Sequence, residues 1–293
     1  KGVNDIERLI RRLNLKLLHP MEILNLYISI ENGYNIFKEC KYIYNTEMSE
    51  LDDTLLEQME LFLKHCSRIF DIGVIGKYNM NNIDNSFINE GESEEIDQLK
   101  RDKEEIMKFF DKEAEKLSDW IEKGSGFVKL ESNERDGFFL YLTLKRADLL
   151  KERLKVEDPS EEYEIKKYVA NNAKIISEEL QNRSDKLILL NRRIESTVKE
   201  FYLNSLEEMS NQFSNLLNKI SYLVSIIDVI VSSAKCAIQY NYVKPEIMDS
   251  SEDSSSQVDI KGLRHPIIER LEETGQYIGN DIQLRILRIT DKR

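Results

Sequence analysis

The sequence predicts a mainly α fold: an elongated helical bundle with a small β-containing unit inserted at the tip of two long antiparallel helices. Three observations carry this. Charged residues make up 33% of the 293 residues while Gly (11) and Pro (4) are scarce, so little interrupts a helix. Apolar residues recur at steps of three and four over most of the chain, which is the period of one helix face. Between two such stretches the period drops to two, the signature of a strand.

Ile6, Leu9, Ile10 and Leu13 mark a short first helix, with Asn4 as its N-cap. A second begins near Pro20, whose ring suits a first helical turn, and its stripe runs Ile23, Tyr27, Ile30, Tyr34, Phe37. From Ser49 to Phe70, Leu51, Leu55, Met59 and Phe62 repeat the pattern, and these three helices can pack as the base of a bundle. Residues 71–92 are rich in Asn, Gly, Ser and Ile without a helical period and read as loop or short irregular strand. A charged helix follows from Ser93 to Lys123, with a narrow seam of Ile96, Leu99, Ile106, Phe109 or Phe110, Leu117, Trp120 and Ile121. That pattern belongs to a solvated arm.

Gly124-Ser125-Gly126 ends the arm, and Val128 and Leu130 lead through a turn at Asp136-Gly137 into Phe138–Leu144. There Phe138, Leu140, Leu142 and Leu144 share one face, and Phe139, Tyr141 and Thr143 the other, so a β-hairpin is expected. Arg146–Ser160 ends on the turn signal Asp158-Pro159-Ser160. From Glu161 to Lys244 there is neither Gly nor Pro. One helix of that length would span roughly 125 Å at about 1.5 Å per residue. Two stripes, Leu187 to Phe201 and Met209 to Ile230, instead predict two long helices folded back near Asn204 to Asn211. The charged stretches 93–123 and 161–200 then run out and back with the hairpin at their tip. The acidic-serine run from Asp249 to Ser256 offers nothing apolar to bury and reads as a linker. Beyond it Val258 and Ile260 alternate as a strand, and Ile267, Ile268 and Leu271 suggest a helical turn.

Several function classes find no support. Cys40, Cys66 and Cys236 are odd in number, far apart and outside metal-ligand spacing, as buried reduced thiols on helix faces would be. His19, His65 and His265 stand apart from any second His or carboxylate at i+4. The reading is therefore of no metal or hydrolytic site. No apolar run approaches the roughly 18 to 20 residues of a membrane span, and no signal-peptide layout opens the chain. An intracellular protein without a membrane partner is expected. The net charge of −12 excludes coating of DNA by bulk electrostatics, so any nucleic-acid contact is local. A first residue Lys1 instead of Met, and a last residue Arg293 just after an apolar alternation, suggest an excised piece.

Two stretches resemble one family. Val3-Asn4-Asp5-Ile6-Glu7-Arg8-Leu9, followed by His19-Pro20-Met21-Glu22-Ile23-Leu24, is similar to the start of the core of MutS DNA mismatch-repair proteins. Leu263-Arg264-His265-Pro266-Ile267-Ile268-Glu269, followed by Tyr277-Ile278-Gly279-Asn280-Asp281-Ile282-Gln283-Leu284, looks like the opening of their ATPase domain and is the more specific signal. The resemblance implies a helical lever at 1–123 and 186–248, a clamp at 124–185, a linker at 249–256 and a partial ATPase domain at 257–293. It further implies a ring-like homo- or heterodimer of MutS-like subunits around double-stranded DNA, with a MutL-like protein as a further partner. ATP and Mg belong to the full-length parent; no cofactor is expected for this piece, which lacks a Gly-rich loop ending in Lys and Ser or Thr. In the family an aromatic residue at the position of Tyr277 stacks on adenine and an Asn at that of Asn280 holds the loop, while Gly279 departs from a usual proline. The piece alone is expected neither to hydrolyse ATP nor to recognise a mispair.

A clamp that grips DNA without reading sequence needs cationic and amide donors around the hairpin. The candidates are Lys129, Arg135, Lys145, Arg146, Lys166, Lys167, Asn171, Asn172 and Lys174, with Glu131, Glu134, Asp136, Glu161, Glu162 and Glu164 set among them. The alternative is a coiled-coil spacer or protein-interaction scaffold without a DNA role. Arg264-His265-Pro266, with no nucleophile beside it, reads as a structural turn.

Overall fold

The computed structural model describes residues 2–43, 53–81, 83, 85–133, 135–157, 163–169, 171–247, 257–271 and 277–285. The chain divides into two units, Lys1–Val229 and Ile230–Arg293. It is a mainly α fold with small antiparallel sheets.

In the first unit, α1 (Ile6–Asn14) is capped by Asp5, whose carboxylate accepts the Arg8 amide at 2.9 Å. The expected cap, Asn4, is used differently: its backbone N–H and side-chain amide donate to Ser29 Oγ at 2.9 and 3.1 Å, tying the N-terminus to α2 (Pro20–Ile43). Glu22, in the first turn of α2, accepts the His19 amide and the Arg12 guanidinium, each at 2.9 Å, satisfying a helix-start donor and locking α1 to α2. α3 (Asp53–Ile69) buries Leu55, Met59, Phe62, Cys66 and Ile69. The described residues of 71–92 are irregular apart from a 3-10 turn at Ile75–Lys77, yet Ile75, Phe87 and Ile88 are core residues and Phe70 bridges Ile88.

α4 (Glu94–Ile121) starts on Ser93, whose hydroxyl accepts the Ile96 amide at 3.4 Å. It lies antiparallel to the first turns of α6 (Glu178–Tyr240), as the salt bridge Glu95–Arg193 (2.9 Å) and the guanidinium of Arg183 over the Phe109 ring (4.8 Å) require. Its seam serves two separate cores. Ile96 and Leu99 belong to the core of α1, α2, α3 and mid-α6, whereas Ile106, Phe110 and Leu117 belong to a core built with the β unit.

α6 corrects the expected fold-back. It is one continuous helix of 63 residues, roughly 95 Å at about 1.5 Å per residue, with no reversal at Asn204 to Asn211. The two stripes are one: Leu187, Ile194, Val198, Tyr202, Leu206, Met209, Phe213, Leu216, Ile220 and Leu223 are all buried. Tyr202 and Leu206 close the gap that had separated them. Glu164–Val169 and Asn172–Ile176, expected as part of the charged helical stretch, form strands instead. A further correction concerns apolar length. α6 is long and apolar enough to cross a membrane by length and composition alone, a test that core helices of soluble proteins also pass.

His65 packs its ring against Phe213 (5.2 Å), and its Nε2 is buried without a hydrogen-bond partner among the described residues. Burial holds its pKa below the ordinary 6.5, with Arg68 acting in the same direction and Glu208 and Glu92 opposing. The unfolded chain therefore binds a proton that the folded chain resists. Stability is complete above about pH 6.5 and falls below it. Urea midpoints at a pH above and a pH below 6.5 should differ more for the wild type than for His65→Gln.

In the second unit, β5 (Gln257–Leu263) pairs antiparallel with β6 (Asn280–Arg285). Ile268–Arg270 forms a single 3-10 turn where a helical turn is expected. The expected helix start at Ser49, the Asp158-Pro159-Ser160 turn, Glu134, Glu161, Glu162, the acidic-serine linker and everything after Arg285 lie outside the described residues.

Candidate nucleic-acid interface

The expected hairpin, β1 (Lys129–Asn133) and β2 (Gly137–Thr143), is half of a four-stranded antiparallel sheet. After α5 (Leu144–Glu157), β3 (Glu164–Val169) and β4 (Asn172–Ile176) complete the order β1-β2-β4-β3. One row of partners, Leu130, Leu140, Ile175 and Ile165, faces the core, where Ala147, Leu150 and Leu154 of α5 join it. The next row, Lys129, Tyr141, Lys174 and Lys166, lies on the opposite face, because successive strand residues alternate sides.

Two buried serines fix this sheet, one on each arm helix. Ser118 Oγ of α4 accepts the Val128 amide at 2.9 Å, and Ser184 Oγ of α6 accepts the Phe138 amide at 2.9 Å. Beside Ser184, Gly137 has φ +66°, and a Cβ there would sit 2.6 Å from Ser184 Oγ and 2.8 Å from Ile188 Cδ1. The hairpin turn is thus pressed onto α6, and the opposite end of the sheet, where Thr143 pairs with Asn172, is the free end. Gly137→Ala combines a left-handed backbone with the loss of that fit. It should cost roughly 1–3 kcal/mol and lower the melting temperature seen by circular dichroism.

The structure divides the nine candidate contacts into groups. Lys174 is largely covered, lies over the Phe139 ring (4.6 Å) and pairs with Asp136 at 3.4 Å. Burial works against ionisation of Asp136, but the hydrogen bond from Asn133 and the charge of Lys174 hold its carboxyl below the usual value. Lys166 pairs with Glu164 at 2.8 Å. Lys129 stands exposed on the same face beside exposed Glu131, so this face is close to charge-balanced. Arg135 is exposed in the turn pressed toward α6, away from the free end. Arg146 is stacked on Phe127 at 3.5 Å.

Lys145, Asn171 and Asn172 gather at the free end, where the Asn171 carbonyl accepts the Leu144 amide at 2.9 Å, and exposed Lys167 lies one register step from it. Among the described residues neither Lys145 nor Lys167 is held in an ion pair. The exposed hydroxyl residue Thr143 belongs to this end and was not among the candidates. The alternation 138–144 places it on the strand, but only the pairing with Asn172 puts it at the free end.

In the second unit Tyr277 is half-buried just before β6, and Asn280 opens β6 opposite Leu263. Gly279 fits by close approach: a Cβ there would lie 3.0 Å from the Gly262 backbone, so any side chain at this position is tight. His265 is a structural turn residue, its Nδ1 accepting the amides of Ile267 and Ile268 at 3.2 and 3.3 Å. Among the described residues no three His, Cys, Asp or Glu side chains could hold a metal ion. Cys66 is buried, and burial pushes its thiol pKa up; Cys236 is exposed, against the expectation that all three thiols are buried.

No family model matches the chain. Individual relatives do. A DNA mismatch repair protein mutS homolog of Acanthamoeba polyphaga mimivirus is 24% identical over 97% of this chain and 27% of its own length. The DNA mismatch repair protein MutS of Clostridium kluyveri is 24% identical over 97% of this chain and 30% of its own, and that of Fusobacterium nucleatum 25% identical over 97% and 29%. The chain therefore spans less than a third of the length of these relatives, and over nearly all of its own length it is similar to MutS DNA mismatch-repair proteins.

Proposed function

We propose that the chain is the lever and clamp region of a MutS-like mismatch-repair protein, and that the free end of its four-stranded sheet contacts the backbone of double-stranded DNA without reading bases. The observation that carries this reading is the gathering of Lys145, Asn171 and Asn172 at the one sheet end not pressed onto α6, with Lys167, which among the described residues is held in no ion pair, beside it. Cations and amide donors of this kind bind phosphate oxygens, fix position on a duplex and carry no sequence information. The serine-pinned attachment to α4 and α6 makes the sheet move with those helices. They would couple it to an ATPase that uses ATP and Mg, with Tyr277 against adenine and Asn280 holding the loop. A dimer with another MutS-like subunit, a MutL-like partner and an intracellular, genome-associated location complete the proposal.

The spacer reading draws on the charge-balanced sheet face and the overall charge of −12. Salt separates the two. With few phosphate contacts, the chain should retain a labelled short duplex at about 50 mM salt and release it near 200 mM, equally for unrelated duplex sequences. Anisotropy titrations check this; no binding at the lower salt favours the spacer.

A further inference from the structure

The last turn of α6 is gripped from the side by the segment that follows β5. Arg264 donates from one guanidinium nitrogen to the carbonyls of Tyr240 and Asn241, at 3.0 and 2.9 Å, which are among the acceptors a helix C-terminus leaves unsatisfied. Its other terminal nitrogen pairs with Glu269 at 3.4 Å, and Glu269 is nearly covered. Glu269 in turn accepts the Tyr242 hydroxyl, which also accepts from Arg270 at 3.0 Å. The Arg270 guanidinium lies over the Tyr240 ring at 3.6 Å. All of these residues belong to the second unit.

We infer that Arg264 is a positioning residue: it latches the end of α6 to the β5–β6 unit, so that a displacement of that unit is passed into the helix whose other end holds the sheet through Ser184. Three features point to transmission and not to packing alone. The cluster borders an open cavity of about 500 Å³ lined by Tyr240, Arg264, Glu269 and Arg270, so it is not a filled core. Its contacts are directional hydrogen bonds, an ion pair and guanidinium groups placed over tyrosine rings. They act on the terminal carbonyls of the helix itself. Arg is needed because one guanidinium reaches two carbonyls and a carboxylate at once, which a Lys ammonium on its flexible stem does not reproduce.

The inference rests on the proposed coupling of nucleotide state to DNA binding, and its test separates the two. In the full-length protein carrying this segment, duplex dissociation is timed with and without ATP and Mg, alongside ATP hydrolysis. Wild type should show a nucleotide-dependent change. Arg264→Gln and Arg264→Lys should each keep hydrolysis and nucleotide-free affinity within about twofold while most of the change, typically fivefold or more, disappears. In the 293-residue chain, hydrogen exchange at 236–242 should quicken roughly tenfold in Arg264→Gln. A nucleotide response retained by both variants would overturn the latch alone; its absence from the wild type would overturn the coupling and the latch together. Unchanged exchange at 236–242 would also overturn the latch.

Discussion

Tyr202→Ala should unfold the core of α1, α2, α3 and mid-α6 at denaturant concentrations where the wild type is intact, at a cost of about 3–5 kcal/mol. Tyr202 is fully buried on α6 and contacts the rings of Phe70 (5.8 Å) and Phe87 (5.5 Å) edge-on, each contact adding to the area it buries. Its hydroxyl donates to the Leu18 carbonyl at 2.9 Å, across 184 residues of sequence. Truncation therefore removes a ring that joins α6 to the irregular segment 71–92 and leaves a buried carbonyl unpaired. Tyr202→Phe keeps the ring and should cost only about 1–2 kcal/mol. Urea unfolding followed by circular dichroism measures both; equal losses would mean that the ring contacts contribute little.

Lys145→Glu combined with Lys167→Glu should abolish low-salt duplex binding, lowering affinity by roughly 100-fold or more, since each reversal both removes a cation and adds a repelled carboxylate. Both residues are exposed, so the fold should be unaffected. The matched control is Lys166→Glu with Lys174→Glu, on the face whose lysines already satisfy Glu164 and Asp136. It should lower DNA affinity less while destabilising the sheet more, because Lys174 is covered and lies over Phe139. Anisotropy and thermal melting of both double variants decide this. The reverse ranking would move the contact to the sheet face.

The helical part of the fold was legible because its apolar residues keep one period over long stretches: Ile96, Leu99, Ile106 and Leu117 of α4 are all buried. The false break in α6 arose at Phe201, which looked like the end of a stripe. The buried residue is Tyr202 beside it, and a tyrosine hydroxyl with a partner 184 residues away gives no local signal. β3 and β4 were missed for another reason. β3 is an edge strand that exposes Lys166 and Lys167, and lysines on an edge strand discourage pairing with other chains. In sequence they look like a solvated helix face. The candidate site was legible as a list of donors but not as a place. Which lysines are neutralised depends on Asp136 and Glu164 meeting Lys174 and Lys166 in the folded sheet. The serine pins left no trace at all: Ser118 and Ser184 read as ordinary helix-surface residues until Val128 and Phe138 are brought to them.

The central claim, that one end of a small sheet carried on α4 and α6 is what touches DNA, is tested most directly by photo-crosslinking the chain at low salt to a duplex bearing reactive groups on its phosphates. The account predicts adducts concentrated in residues 143–146 and 167–172. Adducts concentrated on α1 to α3, or on the sheet face of Lys129 and Lys166, would contradict it.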